Sequence, residues 1–206
     1  MQTEIIPISD SNAIAIALKL LHAGELVAFP TDTVYGIGTL VFNAVGATKI
    51  YAAKQRPPDK ALPILLGNLS QIPLVAVSLP ENTLKLAKHF LPGALTLVVP
   101  KHPNIPEEVS SLDTVGIRIP DHDFARALLN AAGPMAVTSA NISGQNSPVD
   151  AKDVYAQLNG SLPLILDGGR TAGNLSSTVI DCTKEEIVIL REGPISLDEI
   201  RTVLEN

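Results

Sequence analysis

Small hydroxyl residues, glycines and one acid follow an apolar segment near the start of the chain, in Pro30-Thr-Asp-Thr-Val-Tyr-Gly-Ile-Gly38. Two cations, Lys54 and Arg56, follow a predicted helix, and Ser139 and Asn141 follow a later apolar run. Hydroxyls, exposed backbone N–H groups and Lys or Arg together bind phosphate and carboxylate groups. These residue types predict a pocket for an anionic ligand, although Thr-Asp-Thr and Gly-Ile-Gly are also typical of an ordinary turn.

The composition narrows the class of protein. The 206 residues, of which 46% are hydrophobic, fit one large domain or two small ones, and we expect a single domain over residues 1–206. The formal net charge of -6 and the pI of about 5.1 do not favour nucleic-acid binding by the whole molecule, which needs a basic face. The overall charge does not exclude a basic groove on one part of the surface. The single cysteine, Cys182, excludes an internal disulfide and suits a reducing compartment.

Helical and extended patterns alternate along the chain. Helices are predicted over residues 10–22, 44–53, 81–90, 124–132 and 197–204. Strands are predicted over residues 26–29, 62–66, 95–99, 115–119, 135–137, 164–166, 178–181 and 187–190. The alternation predicts an α/β fold, and the strands clustered after residue 164 imply some antiparallel pairing. We therefore expect a twisted, mixed parallel and antiparallel sheet covered by helices.

The sequence lacks the motifs of several common binding sites and of membrane or exported proteins. The chain has no Gly-x-x-x-x-Gly-Lys phosphate loop, and its four histidines lack paired ligand spacing, so no metal site on its own side chains is predicted. No targeting or membrane-spanning segment is recognised, which predicts a cytoplasmic protein without membrane contact.

Asp121 and Asp123 are interpreted as capping residues of a helix. The Gly168–Gly173 loop could act as a lid, but an ordinary surface connection is the favoured interpretation.

Arg118 has two interpretations. It alternates with Ile117 and Ile119, so it fits the outward face of a half-buried strand as well as a binding pocket.

Six motifs then occur in the order typical of the YrdC-like family, which the chain resembles from about residue 14 to residue 195. They are Pro30-Thr-Asp-Thr-Val-Tyr-Gly-Ile-Gly38, Lys54-x-Arg56-Pro57, Gly116-Ile-Arg-Ile-Pro120, Ser139-Ala-Asn141-x-Ser-Gly144 with Ser147-Pro148, Ser177-Thr-Val-Ile-Asp181 and Arg191-x-Gly193. Their joint occurrence is more specific than any one of them. Asp32 stands where glutamate is common, and Leu65 stands where some members carry a histidine that contacts threonine.

The resemblance implies a YrdC-like fold and a nucleotidyltransferase that joins L-threonine, bicarbonate and ATP into threonylcarbamoyl-adenylate and releases pyrophosphate. The product would feed threonylcarbamoyladenosine modification of tRNA, carried out by separate modification proteins as for the short form of the family. Lys54 and Arg56 match catalytic positions. The ATP-binding positions implied are Lys54, Arg56, Lys60, Thr114, Ser139, Asn141, Ser147 and Arg191. The threonine-binding positions implied are Thr33, Tyr35, Arg118, Val137 and Ser177.

The residue types suit this reaction independently of the family. A carbamate of threonine must attack the α-phosphorus of ATP, and fixed cations are needed because both reactants are anionic. Mg²⁺ that bridges the phosphates is the expected helper. Weak binding of RNA stays open as a further interaction of the protein. Two alternatives also stay open: a non-catalytic RNA-binding module on the same fold, and a related enzyme that uses carbamoyl phosphate.

Overall fold

The computed structural model describes residues 2–173, 175–184 and 186–205. Its ten strands are β1 (Glu4–Pro7), β2 (Val27–Phe29), β3 (Gly36–Leu40), β4 (Ile64–Leu65), β5 (Leu95–Pro100), β6 (Thr114–Arg118), β7 (Met135–Ser139), β8 (Leu164–Asp167), β9 (Thr178–Asp181) and β10 (Val188–Arg191). Its α-helices are α1 (Ala13–His22), α2 (Ala44–Lys54), α3 (Glu81–Phe90), α4 (Asp123–Ala132), α5 (Ala151–Leu158) and α6 (Leu197–Glu205), and a 3-10 helix covers Leu69–Leu74.

The strands form one sheet in the order β1-β8-β2-β3-β7-β4-β6-β5-β9-β10. The pairs β1/β8, β2/β8, β4/β6 and β5/β9 are parallel, and the other five pairs are antiparallel. The predicted mixed sheet in an α/β fold is therefore confirmed. None of the helices within the described ranges is long and apolar enough to cross a membrane.

Helices cover both faces of the sheet because its strands are apolar on both sides. In β2, Val27 and Phe29 belong to one buried cluster and Ala28 belongs to the other. Helices α1 and α4 pack on the first cluster, and α2, α3, α5 and α6 contribute to the second. Strands buried on both faces read as continuous apolar runs, which explains why the sequence shows little alternation there.

Helix α2 delivers the two predicted cations to the edge of the site. The Asn43 side chain accepts a hydrogen bond from the Gly46 N–H at 2.8 Å and caps its start. The helix ends at Lys54, because Gln55 adopts a left-handed conformation with φ 50°. This turn separates the directions of Lys54 and Arg56, and it comes before Pro57 and Pro58.

The helix at residue 123 corrects one prediction. Its N-cap is His122, whose Nδ1 accepts from the Ala125 N–H at 3.3 Å. Asp121 and Asp123 instead form ion pairs with Arg126, at 2.7 and 2.5 Å. Their interpretation as caps was wrong, because the ring nitrogen of His122 already occupies the capping position.

Candidate active site

A cavity of about 320 Å³ opens where several strands end. Such a volume lies at the lower end of the range for small-molecule sites, about 300–1,000 Å³. The loop between β2 and β3, the ends of β6, β7 and β10, and the segment before β9 contribute to its wall. The lining residues are Thr31, Thr33, Val34, Tyr35, Gly36, Arg56, Ala61, Pro63, Leu65, Thr96, Arg118, Val137, Thr138, Ser139, Ser176, Ser177 and Arg191.

Gly36 and Gly38 shape the wall by making room for Val137. Strand β3 pairs with β7, and a Cβ atom at either glycine would lie 2.7 Å from a Val137 methyl group. Their backbone groups belong to the strand ladder with β2 and β7. The Gly-Ile-Gly sequence is therefore part of a strand, and it allows Val137 to lie close against the neighbouring backbone.

The Thr31–Val34 turn is fixed by its own hydroxyl groups. The Thr31 hydroxyl donates to the Val34 carbonyl at 2.7 Å and accepts from the Thr33 N–H at 3.2 Å. The hydroxyl oxygens of Thr31 and Thr33 are 3.0 Å apart. Both side chains are buried and line the cavity, so this turn presents a rigid pair of hydroxyls to a ligand.

Arg118 lies in the cavity wall, which rules out the outward-facing interpretation. Its Nε donates to the Gly93 carbonyl at 2.8 Å, Nη1 donates to the Thr33 hydroxyl at 3.0 Å, and Nη2 donates to Asp32 Oδ1 at 2.5 Å. Burial lowers the pKa of Arg118, and the Asp32 carboxylate opposes this shift. The guanidinium is thus held in one orientation in the cavity wall.

Arg191 brings a second guanidinium to the same cavity from the edge strand β10. Its Nη2 donates to the Ser177 carbonyl at 2.8 Å and to the Ser177 hydroxyl at 3.1 Å. The Ser177 and Thr96 hydroxyl oxygens are 2.7 Å apart. Burial and the nearby charge of Arg118 lower the pKa of Arg191. The two cations repel each other, and an anionic ligand between them would relieve that repulsion.

Arg56 supplies a third cation to the lining. Its Nε donates to the Lys60 carbonyl at 3.2 Å, and its Nη2 donates to the Ala61 carbonyl at 3.1 Å. These two bonds hold the backbone at Lys60 and Ala61 against the Arg56 side chain. Because only some of its N–H groups are used, the guanidinium keeps donors for a ligand.

Lys54 lies behind the cavity wall. Its side chain is about 1% exposed, and its Nζ donates to the carbonyl oxygens of Ser139 and Asn141, the latter at 2.5 Å. Burial lowers the pKa of Lys54 to about 7, with a smaller contribution from Arg56. Lys54 thus holds the turn that presents Ser139 to the cavity.

The same turn is fixed from within. The Ser139 hydroxyl donates to Asn141 Oδ1 at 2.5 Å, and Asn141 Nδ2 donates to the carbonyls of Ile142 and Gln145. Ser139 lines the cavity, whereas the buried Asn141 side chain acts on it from outside the lining.

Eight of the predicted site residues are brought together in the cavity wall, although they come from distant parts of the chain. These are Thr33, Tyr35, Arg56, Arg118, Val137, Ser139, Ser177 and Arg191. Five others lie outside the lining, namely Lys54, Lys60, Thr114, Asn141 and Ser147. Thr114 opens β6 at the other end from Arg118, and Lys60 is exposed. Their predicted contacts with ATP stay predictions.

Some lining residues were missed by the sequence analysis. Thr96 interrupts the apolar strand β5, and Ser176 precedes Ser177 in a polar run. A single polar residue in an otherwise apolar strand was the available signal for Thr96. The ion pair between Asp32 and Arg118 joins residues 86 positions apart, and nothing in the sequence indicated it.

Tyr35 anchors the glycine-rich loop that was considered as a lid. The Tyr35 hydroxyl donates to the Gly169 carbonyl at 2.8 Å and accepts from the Gly168 N–H at 3.0 Å. Burial raises the pKa of Tyr35 to about 12. The Thr171 N–H also donates to the Val149 carbonyl at 2.8 Å. These bonds favour a fixed connection rather than a lid.

Tyr35→Phe is expected to lower the free energy of unfolding by about 1–3 kcal/mol, because two backbone groups lose a buried partner. Urea denaturation measures the change. Tyr155→Phe is the matched control, because Tyr155 is 39% exposed, and it should leave stability within about 0.5 kcal/mol of the wild type. Equal stability of the two variants would contradict the anchoring role of Tyr35.

The Sua5/YciO/YrdC family profile, described as "Telomere recombination", matches residues 19–193. The threonylcarbamoyl-AMP synthase of Bacillus subtilis (strain 168) is 43% identical over 194 residues, which make up 93% of this chain and 56% of that protein. The putative threonylcarbamoyl-AMP synthase of Mycobacterium tuberculosis (strain ATCC 25618 / H37Rv) is 39% identical over 199 residues, covering 96% of this chain and 92% of that protein.

A solved structure extends this similarity to three dimensions. The crystal structure of P. abyssi Sua5 complexed with L-threonine superimposes with a TM-score of 0.94 at 41% identity, covering 98% of this chain and 61% of that one. This chain therefore spans little more than half the length of some relatives and nearly the whole of others. Profile, sequence identity and fold agree, and the chain belongs to the Sua5/YciO/YrdC family.

Proposed function

We propose that the protein catalyses formation of L-threonylcarbamoyl-adenylate from L-threonine, bicarbonate and ATP, with release of pyrophosphate. The observation that carries this proposal is the convergence of Arg56, Arg118 and Arg191 on one cavity lined with hydroxyl groups. The carbamate of threonine and ATP are both anionic, and fixed cations stabilise such a pair. The names of the relatives, and the L-threonine bound to P. abyssi Sua5, support the same reaction.

The cavity suggests a division of roles. Arg118 and the hydroxyls of Thr33 and Ser177 would bind the amino acid, with Val137 and Tyr35 in the wall beside it. Arg56, Arg191 and Ser139 would bind the phosphates of ATP.

Lys54 and Asn141 would act on ATP by fixing the position of Ser139. Lys60, Thr114 and Ser147 lie outside the cavity lining, so any contact they make would be with the remainder of the nucleotide. We further propose that residues 1–206 make up one YrdC-like domain.

The reaction needs positioning more than acid or base groups. Bicarbonate gives CO₂ by losing a hydroxide, which takes a proton from the threonine ammonium group and leaves as water. The resulting amine bonds to the carbon of CO₂ and releases a second proton to solvent. An oxygen of the resulting carbamate then bonds to the α-phosphorus, while the bond from that phosphorus to the bridging oxygen breaks and pyrophosphate leaves. Holding the partners in line can supply about 7–11 kcal/mol of the barrier.

Mg²⁺ is expected to bind with ATP. Within the described part of the chain, no group of three His, Cys, Asp or Glu side chains is placed to hold a metal ion. The ion would therefore be held chiefly by the phosphates and water, as is usual for Mg²⁺ with nucleotides. The product would be consumed by proteins that modify tRNA, and the cytoplasmic location stays a prediction.

Pyrophosphate release tests the proposal when threonine, bicarbonate and ATP are each omitted in turn. Release is expected only with all three present. Release that continues without threonine would contradict the proposed reaction. Salt-dependent binding of tRNA without any threonine-dependent turnover would favour the RNA-binding alternative instead.

A further inference from the structure

We propose that Asp32 is a positioning residue that fixes the Arg118 guanidinium and balances its charge, so that the cavity accepts the zwitterionic form of an amino acid. This inference rests on the proposed function, because it concerns the threonine end of the same cavity. Asp32 is not among the lining residues, so it acts through Arg118.

The orientation of Arg118 depends on three different acceptors. They are the Gly93 carbonyl, the Thr33 hydroxyl and the Asp32 carboxylate, and each accepts from a different nitrogen of the guanidinium. A guanidinium has five N–H groups, so two remain for a ligand. Of the three acceptors, only Asp32 carries a charge, and its contact at 2.5 Å is the shortest.

Both members of this ion pair are largely removed from water. The Arg118 side chain is 7% exposed, and the Asp32 side chain is 16% exposed. Charges at such positions are screened far less than surface charges. Loss of the carboxylate would therefore leave a nearly full positive charge in the cavity wall, close to the charge of Arg191.

The backbone at Asp32 has little freedom. The Thr31 hydroxyl fixes the turn on one side of it. On the other side Gly173 packs so closely that a Cβ atom there would lie 2.7 Å from the Asp32 carbonyl oxygen. Asp32 is held between these two segments. A residue that positions another side chain must itself be fixed in this way.

The charge balance has a consequence for ligand choice. Threonine carries an ammonium group beside its carboxylate, and an unbalanced Arg118 would repel the ammonium group. An acid of the same shape that has a hydroxyl in place of the amine, 2,3-dihydroxybutyrate, carries only the negative charge. Asp32→Asn keeps the size of the side chain and removes its charge, so it should weaken threonine binding and strengthen binding of this analogue.

Calorimetric titration of wild type and Asp32→Asn with each ligand tests the inference. The variant should bind threonine at least ~10-fold more weakly and the amine-free acid at least ~3-fold more tightly, since the two differ in the charge that Arg118 repels. Asp32→Glu should restore most of the threonine affinity. Asp121→Asn is the matched control, because it removes an aspartate paired with an arginine at the surface, and it should change neither affinity.

The outcomes separate the two proposals. If Asp32 has a purely structural role, Asp32→Asn should lower the affinity for both ligands by the same factor. That result would overturn the inference. Failure of the wild type to release pyrophosphate would contradict the proposed function, and the ratio of the two affinities would still decide the role of Asp32. If Asp32→Asn does not fold, Asp32→Glu decides the role of Asp32. Affinities within ~3-fold of wild type for both ligands support the inference, and equal weakening of both affinities beyond ~3-fold overturns it. Absence of threonine binding to the wild type would overturn both proposals.

Discussion

Replacement of Arg118 with alanine is expected to lower kcat/KM for threonine by at least ~100-fold, the scale seen when a preorganised charge partner is removed. The guanidinium lies in the cavity wall with two N–H groups left for a ligand. Its loss also leaves Asp32 without a partner, which disturbs the turn that carries Thr33. Steady-state pyrophosphate release at varied threonine concentration measures the effect.

A second variant separates the contribution of the charge of Arg118 from that of its shape. Arg118→Lys keeps the charge, but one ammonium group cannot reach the three acceptors around the planar guanidinium and still leave donors for a ligand. We therefore expect activity between those of alanine and wild type. Arg126→Ala is the matched control, because Arg126 forms ion pairs only with Asp121 and Asp123 among the described contacts. It should stay within about twofold of wild type, as surface ion pairs contribute little. An unchanged KM for threonine in Arg118→Ala would contradict the assigned role.

Lys54→Met and Arg56→Met are each expected to lower turnover by at least ~100-fold, for different reasons. Arg56 lines the cavity, so its loss should raise the KM for ATP. Lys54 does not line the cavity, and its loss frees the carbonyls of Ser139 and Asn141, so its loss should mainly lower kcat. Single-turnover measurements with varied ATP separate the two effects.

Lys49→Met controls for the general effect of removing a cation from helix α2. Lys49 lies on the same helix, its side chain is 38% exposed, and it pairs with Glu25 at 2.7 Å. Its replacement should leave turnover within about twofold of wild type. Pyrophosphate release that is unchanged in both Lys54→Met and Arg56→Met would remove these two residues from the mechanism.

The elements with clear periodicity could be predicted from the sequence. Helix α3 and strand β9 have the predicted bounds, because an acidic start and apolar spacing mark the first and apolar residues with flanking polar groups mark the second. Strand β1 was missed because it lies at the sheet edge and buries only Ile6. Helix α5 was missed although Asp150 caps it, since its eight residues are short for a periodic signal.

The site was harder to predict because its contacts join distant segments. Arg118 and Arg191 meet only after β6 and β10 take their places in the sheet, and spacing along the chain cannot reveal this. The family resemblance was what indicated that these two arginines bind the substrates. The inward position of Lys54 depends on the left-handed Gln55 and on the turn after β7, which no local pattern encodes.

Transfer of labelled carbon tests the convergence of these side chains most directly. The protein is incubated with ¹⁴C-bicarbonate, threonine and ATP, and the nucleotide products are separated and counted. We expect the label in an adenylate whose formation equals the pyrophosphate released, and its loss in Arg118→Ala and Arg56→Met. Pyrophosphate released without label in any adenylate would contradict the proposal that the cavity holds a threonine carbamate against ATP.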